Sequence, residues 1–174
     1  FWGDIVLHKP ELIPELPKDM IALNWGYDIG HPFDRETRAF RDAGVPFYVC
    51  PGTSSWLSIG GRTDNCIANL QDAAKQGLAN GAIGYLNTDW GDVGHLQYLP
   101  VSYLGFAAGA AYSWCLESNR DLSIQDTISM HIFRDPTATM GQLMADLGNI
   151  YQAVSSKQFN STAIFWSFIG GSER

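Results

Sequence analysis

Four short apolar runs in this 174-residue chain each close on a tryptophan with polar or acidic neighbours: "FWGD" at 1–4, "LNWGYD" at 23–28, "PGTSSW" at 51–56 and "LNTDWGD" at 86–92. The tryptophans Trp2, Trp25, Trp56 and Trp90 stand 23, 31 and 34 residues apart (2 to 25, 25 to 56, 56 to 90). Helix-like stretches fill the gaps. In "FDRETRAFRDAG", Phe33, Ala39 and Phe40 sit near helical spacing and Gly44 supplies a stop. "TDNCIANLQDAAKQGLANG" sets Ile67, Leu70, Ala74 and Leu78 on one face, with Thr63 or Asp64 as a cap and Gly81 as the end. "YLPVSYLGFAAGAAYSW" reads as a third helix, while three prolines in "HKPELIPELPK" restrict that segment to a loop with at most one turn.

Alternating strands and helices imply parallel strands joined by right-handed crossovers. Apolar runs without polar alternation suit strands covered on both faces. A (β/α)₈ barrel of about 250 residues spends about 31 on each unit, close to the observed spacing. The predicted class is therefore α/β: a partial TIM (β/α)₈ barrel of about four βα units over residues 1–118, then a mainly helical tail over 119–174. In the tail, "DLSIQDTISMHIF" and "TMGQLMADLGNIYQAV" read as helices, and "STAIFWSFIGG" as a final strand or a packed helix. Chain length and 45% hydrophobic residues are enough for one sizeable core.

A net charge of −7 and a pI near 4.8 argue against nucleic acid, whose phosphates need clustered Lys and Arg. No stretch reaches the ~18 uninterrupted apolar residues of a membrane span. The chain opens on Phe1 without a charged-then-apolar leader, which is expected of a processed protein or a piece of a longer one. Cys50, Cys66 and Cys115 lack metal-knuckle spacing and read as small buried hydrophobes. His8, His31, His95 and His131 are scattered without metal-site spacing, and no metal or other cofactor is expected; the histidines read as surface or loop-anchoring residues, with substrate contact as the alternative for His31 and His95, which lie just past strand ends. "PGTSSW" lacks the G-x-S-x-G elbow of acyl-transfer enzymes, "SIGGR" reads as a turn, and the glycosylation pattern at Asn160 is assigned no role.

In parallel βα architectures the working end is the carboxyl end of the strands. That rule gathers Trp2, Asp4, Asn24, Trp25, Tyr27, Asp28, Thr53, Ser54, Ser55, Trp56, Asn87, Asp89, Trp90 and Asp92 on one rim. Indole faces match the axial C–H patches of pyranose rings, and carboxylates and amides match ring hydroxyls. Repeated together, the two surfaces point to carbohydrate.

The motifs "FWGD", "LNWGYD", "CPGTSSW" and "GYLNTDWGD", followed by a small-residue helix, resemble the second half of the catalytic barrel of family 20 glycoside hydrolases, the β-N-acetylhexosaminidases, over residues 1 to about 116. In that family the fifth strand ends in a Trp followed shortly by an acid, matched by Trp2 and Asp4. The sixth supplies a Trp to the wall around the N-acetyl group, matched by Trp25. The eighth ends in Trp-Gly-Glu, where the acid bonds outer hydroxyls and the Trp stacks beneath the ring; Trp90-Gly91-Asp92 matches with Asp for Glu. The seventh departs: members commonly carry Tyr-Leu-Asp, and this chain has Pro51-Gly52-Thr53-Ser54-Ser55-Trp56. The family's catalytic Asp-Glu pair lies at the end of the fourth strand, where Glu is the general acid and Asp orients the attacking acetamide. No Asp-Glu dipeptide occurs in this sequence.

The strand-end rim and the resemblance together predict substrate contacts from Trp2, Asp4, Trp25, Tyr27, Asp28, Trp56, Asp89, Trp90 and Asp92, the resemblance carrying Trp2, Asp4, Trp25, Trp90 and Asp92, with no catalytic residue assigned. The resemblance implies an N-acetylhexosamine-containing saccharide as partner and a glycosidase parent of which this chain alone is inactive. A non-catalytic carbohydrate-binding domain is the alternative. The exposed edges of a half barrel further imply a homo-oligomer.

Overall fold

Strands β1 (Ala22–Trp25), β2 (Phe47–Cys50) and β3 (Gly84–Tyr85) form an open parallel sheet in the order β1-β2-β3. The computed structural model describes residues 1–170. Register pairs Ala22 with Phe47, Trp25 with Cys50 and Val49 with Tyr85. Trp2 adds an isolated parallel bridge to Leu23, fixed where Leu23 N–H donates to the Phe1 carbonyl at 2.8 Å and Gly3 N–H to the Leu23 carbonyl at 2.9 Å. The four expected strand ends thus follow one another across one parallel sheet, although only three belong to strands. β3 is shorter than "AIGYLNTDW" suggested because Pro51, its partner further along, has no N–H to continue a regular ladder. Pairing persists irregularly, with Thr88 N–H donating to the Pro51 carbonyl and Thr53 N–H to the Thr88 carbonyl, both at 2.9 Å.

A short helix α1 (Asp4–Leu7) follows Trp2, and a six-residue 3₁₀ helix (Pro10–Glu15) follows α1. The segment is more regular than the expected loop, since proline's fixed φ suits this tighter helix even where it forbids an α-helix. Helices α2 (Phe33–Asp42) and α3 (Thr63–Asn80) connect β1 to β2 and β2 to β3, and both pack on the sheet. Ala22, Phe47 and Val49 meet Phe33 and Phe40 of α2 and Ala73 of α3 in one buried cluster. Full burial of each large side chain there contributes about 1.5–3 kcal/mol. Alternation turns Leu23, Trp25 and Tyr48 to the opposite face.

α3 ends at Gly81 in the left-handed conformation (φ 78°), as the sequence required. Its buried stripe runs through Cys66, Leu70, Ala73, Ala74 and Gly77. Leu78, expected on that face, is 71% exposed; Gly77 brings the helix down on β2, where an added Cβ would lie 3.0 Å from a Val49 methyl. Neither Thr63 nor Asp64 caps the helix: Arg62 holds the N-cap position without a side-chain bond, and Asp64 instead accepts from Asn149 and Gln152.

Helix α4 (Pro100–Asn119) follows β3, and a second core joins it to the tail. Cys66 and Leu70 of α3, Leu104, Ala108 and Tyr112 of α4, Ile124 and Ile128 of α5 (Ile124–Ile128) and Ala145 of α6 (Thr139–Leu147) are buried together. A π-helical turn (Ser129–Phe133) extends α5, and a 3₁₀ turn (Ile150–Ala153) follows α6. Segment 163–169 is the packed helix α7 (Ala163–Ile169) rather than a strand. Cys50 and Cys66 are buried as expected, but Cys115 is exposed, because α4 breaks helical geometry there (φ −160°, ψ 99°) instead of continuing a packed face. Among the described residues no helix is long and apolar enough to cross a membrane.

Candidate functional site

The loops that leave β1 and β2 are irregular, so their backbone groups need partners from elsewhere. One turn of α3 supplies them. Asn69 Nδ2 donates to the Gly26 carbonyl at 3.0 Å while its Oδ1 accepts from Gly52 N–H at 3.3 Å. One turn earlier, Asn65 Nδ2 donates to the Tyr27 carbonyl at 2.7 Å and to Ser54 Oγ at 2.9 Å, and its Oδ1 accepts from Ile29 N–H at 2.8 Å. These bonds hold a backbone that includes two non-glycine residues at positive φ, Ser54 (55°) and Leu57 (50°), a conformation costing about 1–3 kcal/mol each.

Tyr27, fixed by this arrangement, is the hub of an aromatic group. Its ring stacks on Trp25 at 5.1 Å between centroids and meets Trp56 edge-on at 4.9 Å. Trp90 lies 6.5 Å away and donates from Nε1 to Tyr27 Oη at 2.9 Å. Trp2 extends the wall, 5.7 Å from Trp90. Burial pushes the Tyr27 phenol up to about 12, and the nearby Asp92 carboxylate adds to the shift. The hydroxyl therefore stays a neutral hydrogen-bonding group across the physiological range.

The structure brings the four predicted indoles to one end of the sheet but gives them different exposures. Trp2 is 40% exposed, Trp25 and Trp90 are half-buried, and Trp56 is 1% exposed. Trp56 offers no face to a ligand and instead backs Tyr27, together with Leu57 and the fully buried Phe165 of α7. The tail thus braces the aromatic group from behind, with Thr162 N–H donating to the Leu57 carbonyl at 3.0 Å.

The four acids also differ. Asp28 is engaged by the buried Arg62 guanidinium at 2.5 Å and by Asn160 N–H at 3.0 Å, so it anchors the tail to the β1 loop. Asp89 accepts from the hydroxyls of Thr53 at 2.5 Å, Ser55 at 2.6 Å and Ser102 at 3.1 Å. Asp4, at the start of α1, is half-buried, and Asp92 is exposed. His31 bonds Glu36 at 2.9 Å, and His95 bonds the Gln97 carbonyl at 3.0 Å, both holding loops. Among the described residues, no group of three His, Cys, Asp or Glu side chains could hold a metal ion.

Sequence reasoning missed the residues that build the rim, namely Asn65, Asn69, Arg62, Ser102 and Phe165. The i, i+4 spacing of Asn65 and Asn69 on the buried face of α3 was the available signal, since buried amides need partners. Chemically the rim can grip a ligand that has flat apolar faces and peripheral hydroxyls. The Trp2, Trp25 and Trp90 indoles supply stacking area, the buried Tyr27 ring holds them in place without offering a face of its own, and Asp4 and Asp92 supply acceptors. No family model matches this chain, and no curated protein matches it either.

Proposed function

We propose that this chain carries the sugar-binding wall of a hexosaminidase-like glycoside hydrolase, corresponding to strands five to eight of a partial (β/α)₈ barrel, and binds N-acetylhexosamine-containing saccharides. The observation that carries the proposal is the continuous aromatic group Trp2–Trp90–Tyr27–Trp25 at the carboxyl end of a parallel sheet. The consecutive order of the Trp2 bridge, β1, β2 and β3, with α2 and α3 packed against the face that carries Ala22, Phe47 and Val49, supports an arc of such a barrel. Trp2, Trp25 and Trp90 provide stacking surface, and Asp4 and Asp92 provide hydroxyl acceptors.

Chemistry by the chain alone is not expected. The family's Asp-Glu pair does not occur in the sequence, and Asp28 and Asp89 are committed to neighbours. This favours binding without turnover, as a carbohydrate-binding domain would also show. The same reading expects self-association, since the open sheet leaves edges and a partly apolar face for a second copy.

Calorimetric titration with N-acetylglucosamine and with glucose, beside hydrolysis of a chromogenic N-acetylglucosaminide, tests the proposal. Saturable binding that prefers the N-acetylated sugar, with no hydrolysis, is expected. Equal or absent binding of both sugars overturns it. Light scattering at micromolar concentration tests association, and a monomer removes that part.

A further inference from the structure

The rim is assembled from two separately held parts. One comprises the loops after β1 and β2, tied to α3 by Asn65 and Asn69, and it carries Trp25, Tyr27 and Trp56. The other is the loop after β3 with Trp90, which runs into α4. Between them stands a cluster of three hydroxyls around one carboxylate. We propose that Asp89 is a positioning residue that locks these two parts together and sets the spacing between Trp90 and the Tyr27–Trp56 pair, a role that rests on the saccharide reading for its effect on binding.

Asp89 Oδ1 accepts from Thr53 Oγ1 at 2.5 Å and Ser55 Oγ at 2.6 Å, both in the β2 loop. Ser102, in the first turn of α4, lies 3.1 Å from Oδ2, 3.2 Å from Oδ1 and 2.8 Å from Ser55 Oγ. Three elements therefore meet at one side chain: the β2 loop, the β3 loop and α4. Thr53, Ser55 and Ser102 are all buried. A carboxylate fits this place better than any neutral group, because it accepts several hydrogen bonds and donates none. Among the described residues no Lys or Arg forms an ion pair with it. Ser102 places it near the N-terminal end of the 20-residue α4, where the helix dipole favours negative charge. Close approach is built in as well: Gly105 lets α4 sit against Thr53, whose Cα would lie 2.7 Å from an added Cβ.

With Oδ1 filled by the β2-loop hydroxyls and the adjoining Trp90 hydrogen-bonded to Tyr27, Asp89 acts on a ligand through the indoles rather than by contact. Asp92, exposed and three residues on, is the contrasting acid. Asp89→Asn keeps the shape and one carbonyl oxygen for the Thr53 and Ser55 hydroxyls, but it removes the negative charge and puts an amide N–H toward Ser102, which then has to accept where it now donates.

The test uses indole N–H signals in the nuclear magnetic resonance spectrum of the free protein, beside titration with N-acetylglucosamine. Asp89→Asn is expected to move the Trp56 and Trp90 signals, leave that of the 89%-exposed Trp114 in place, and weaken binding about tenfold, the loss expected for one hydrogen bond to a charged group. Asp92→Asn is expected to weaken binding without moving Trp56 or Trp90. Unmoved Trp56 and Trp90 signals in Asp89→Asn overturn the proposal. Should that variant fail to fold, Thr53→Val and Ser55→Ala each remove one donor; smaller shifts of the same two signals support the proposal, and their absence overturns it. If the wild-type protein binds no sugar, the saccharide reading falls, while the indole shifts still decide the positioning role.

Discussion

Beneath the sheet, Phe33, Phe40, Phe47 and Val49 pack without a polar side-chain atom among them; at the strand ends, Asn65, Asn69 and Asp89 hold three loops through hydrogen bonds. The first region gains its free energy from removing apolar surface from water, which is non-directional and tolerant of small shifts. The second gains little net free energy from each bond, but each is directional and costly to leave unmade once buried. Stability and geometry are therefore assigned to different layers. The core keeps the chain folded, and the polar layer decides where the indoles stand.

Substitutions in each layer can break this division. Phe47→Ala is expected to cost about 3–5 kcal/mol in urea unfolding while leaving the proposed sugar affinity nearly unchanged under conditions where the variant stays folded. Gly105→Ala forces a methyl against Thr53 backbone and is expected to cost about 1–3 kcal/mol, with a loss of affinity because the hydroxyl cluster moves. Asn69→Ala leaves Gly52 N–H and the Gly26 carbonyl without their partner. Its expected cost is likewise about 1–3 kcal/mol, but its proportionate effect on affinity should be the largest of the three. If Asn69→Ala destabilised as strongly as Phe47→Ala and spared binding, the division would collapse.

Titration sharpens the same comparison, because both layers bury groups whose neutral forms the fold requires. Burial raises Cys50 and Cys66 from 9.0 to about 12, and Tyr27 from 10.0 to about 12. The folded state holds these protons more tightly than the unfolded chain. The stability they contribute is fully present below pH 9 and is lost as pH rises toward 12. Unfolding followed from pH 8 to 12 should show this decline, and a flat profile would contradict the burial. The smallest effect is on reactivity at neutral pH. Exposed Cys115, whose thiol is lowered by its bond with Ser118, should alkylate readily, while Cys50 and Cys66 stay protected until denaturant is added.

How much of this was legible follows from which signals are local. Apolar runs and glycine stops mark α2 and α3, and Gly44 and Gly81 do take positive φ at their ends. Of the repeated tryptophans only Trp25 ends a strand; Trp2 makes an isolated bridge, and Trp56 and Trp90 lie six and five residues past the ends of β2 (50 to 56) and β3 (85 to 90), on the loops that follow. Leu78 misled because hydrophobicity alone does not fix the rotation of a helix; the close approach at Gly77 does. Trp56 looked like its three counterparts, yet Phe165, 109 residues further along (56 to 165), packs with it in a buried cluster. The Asp28–Arg62 pair and the Asp89 hydroxyls were illegible for the same reason, since their partners come from distant elements.

Asn65 and Asn69 stand one turn apart on an 18-residue helix, so the two loops they hold inherit the stiffness of a rod. Each amide serves both loops at once, so the β1 and β2 sides of the rim are carried by α3 as one unit, and Asp89 ties the Trp90 loop to that unit.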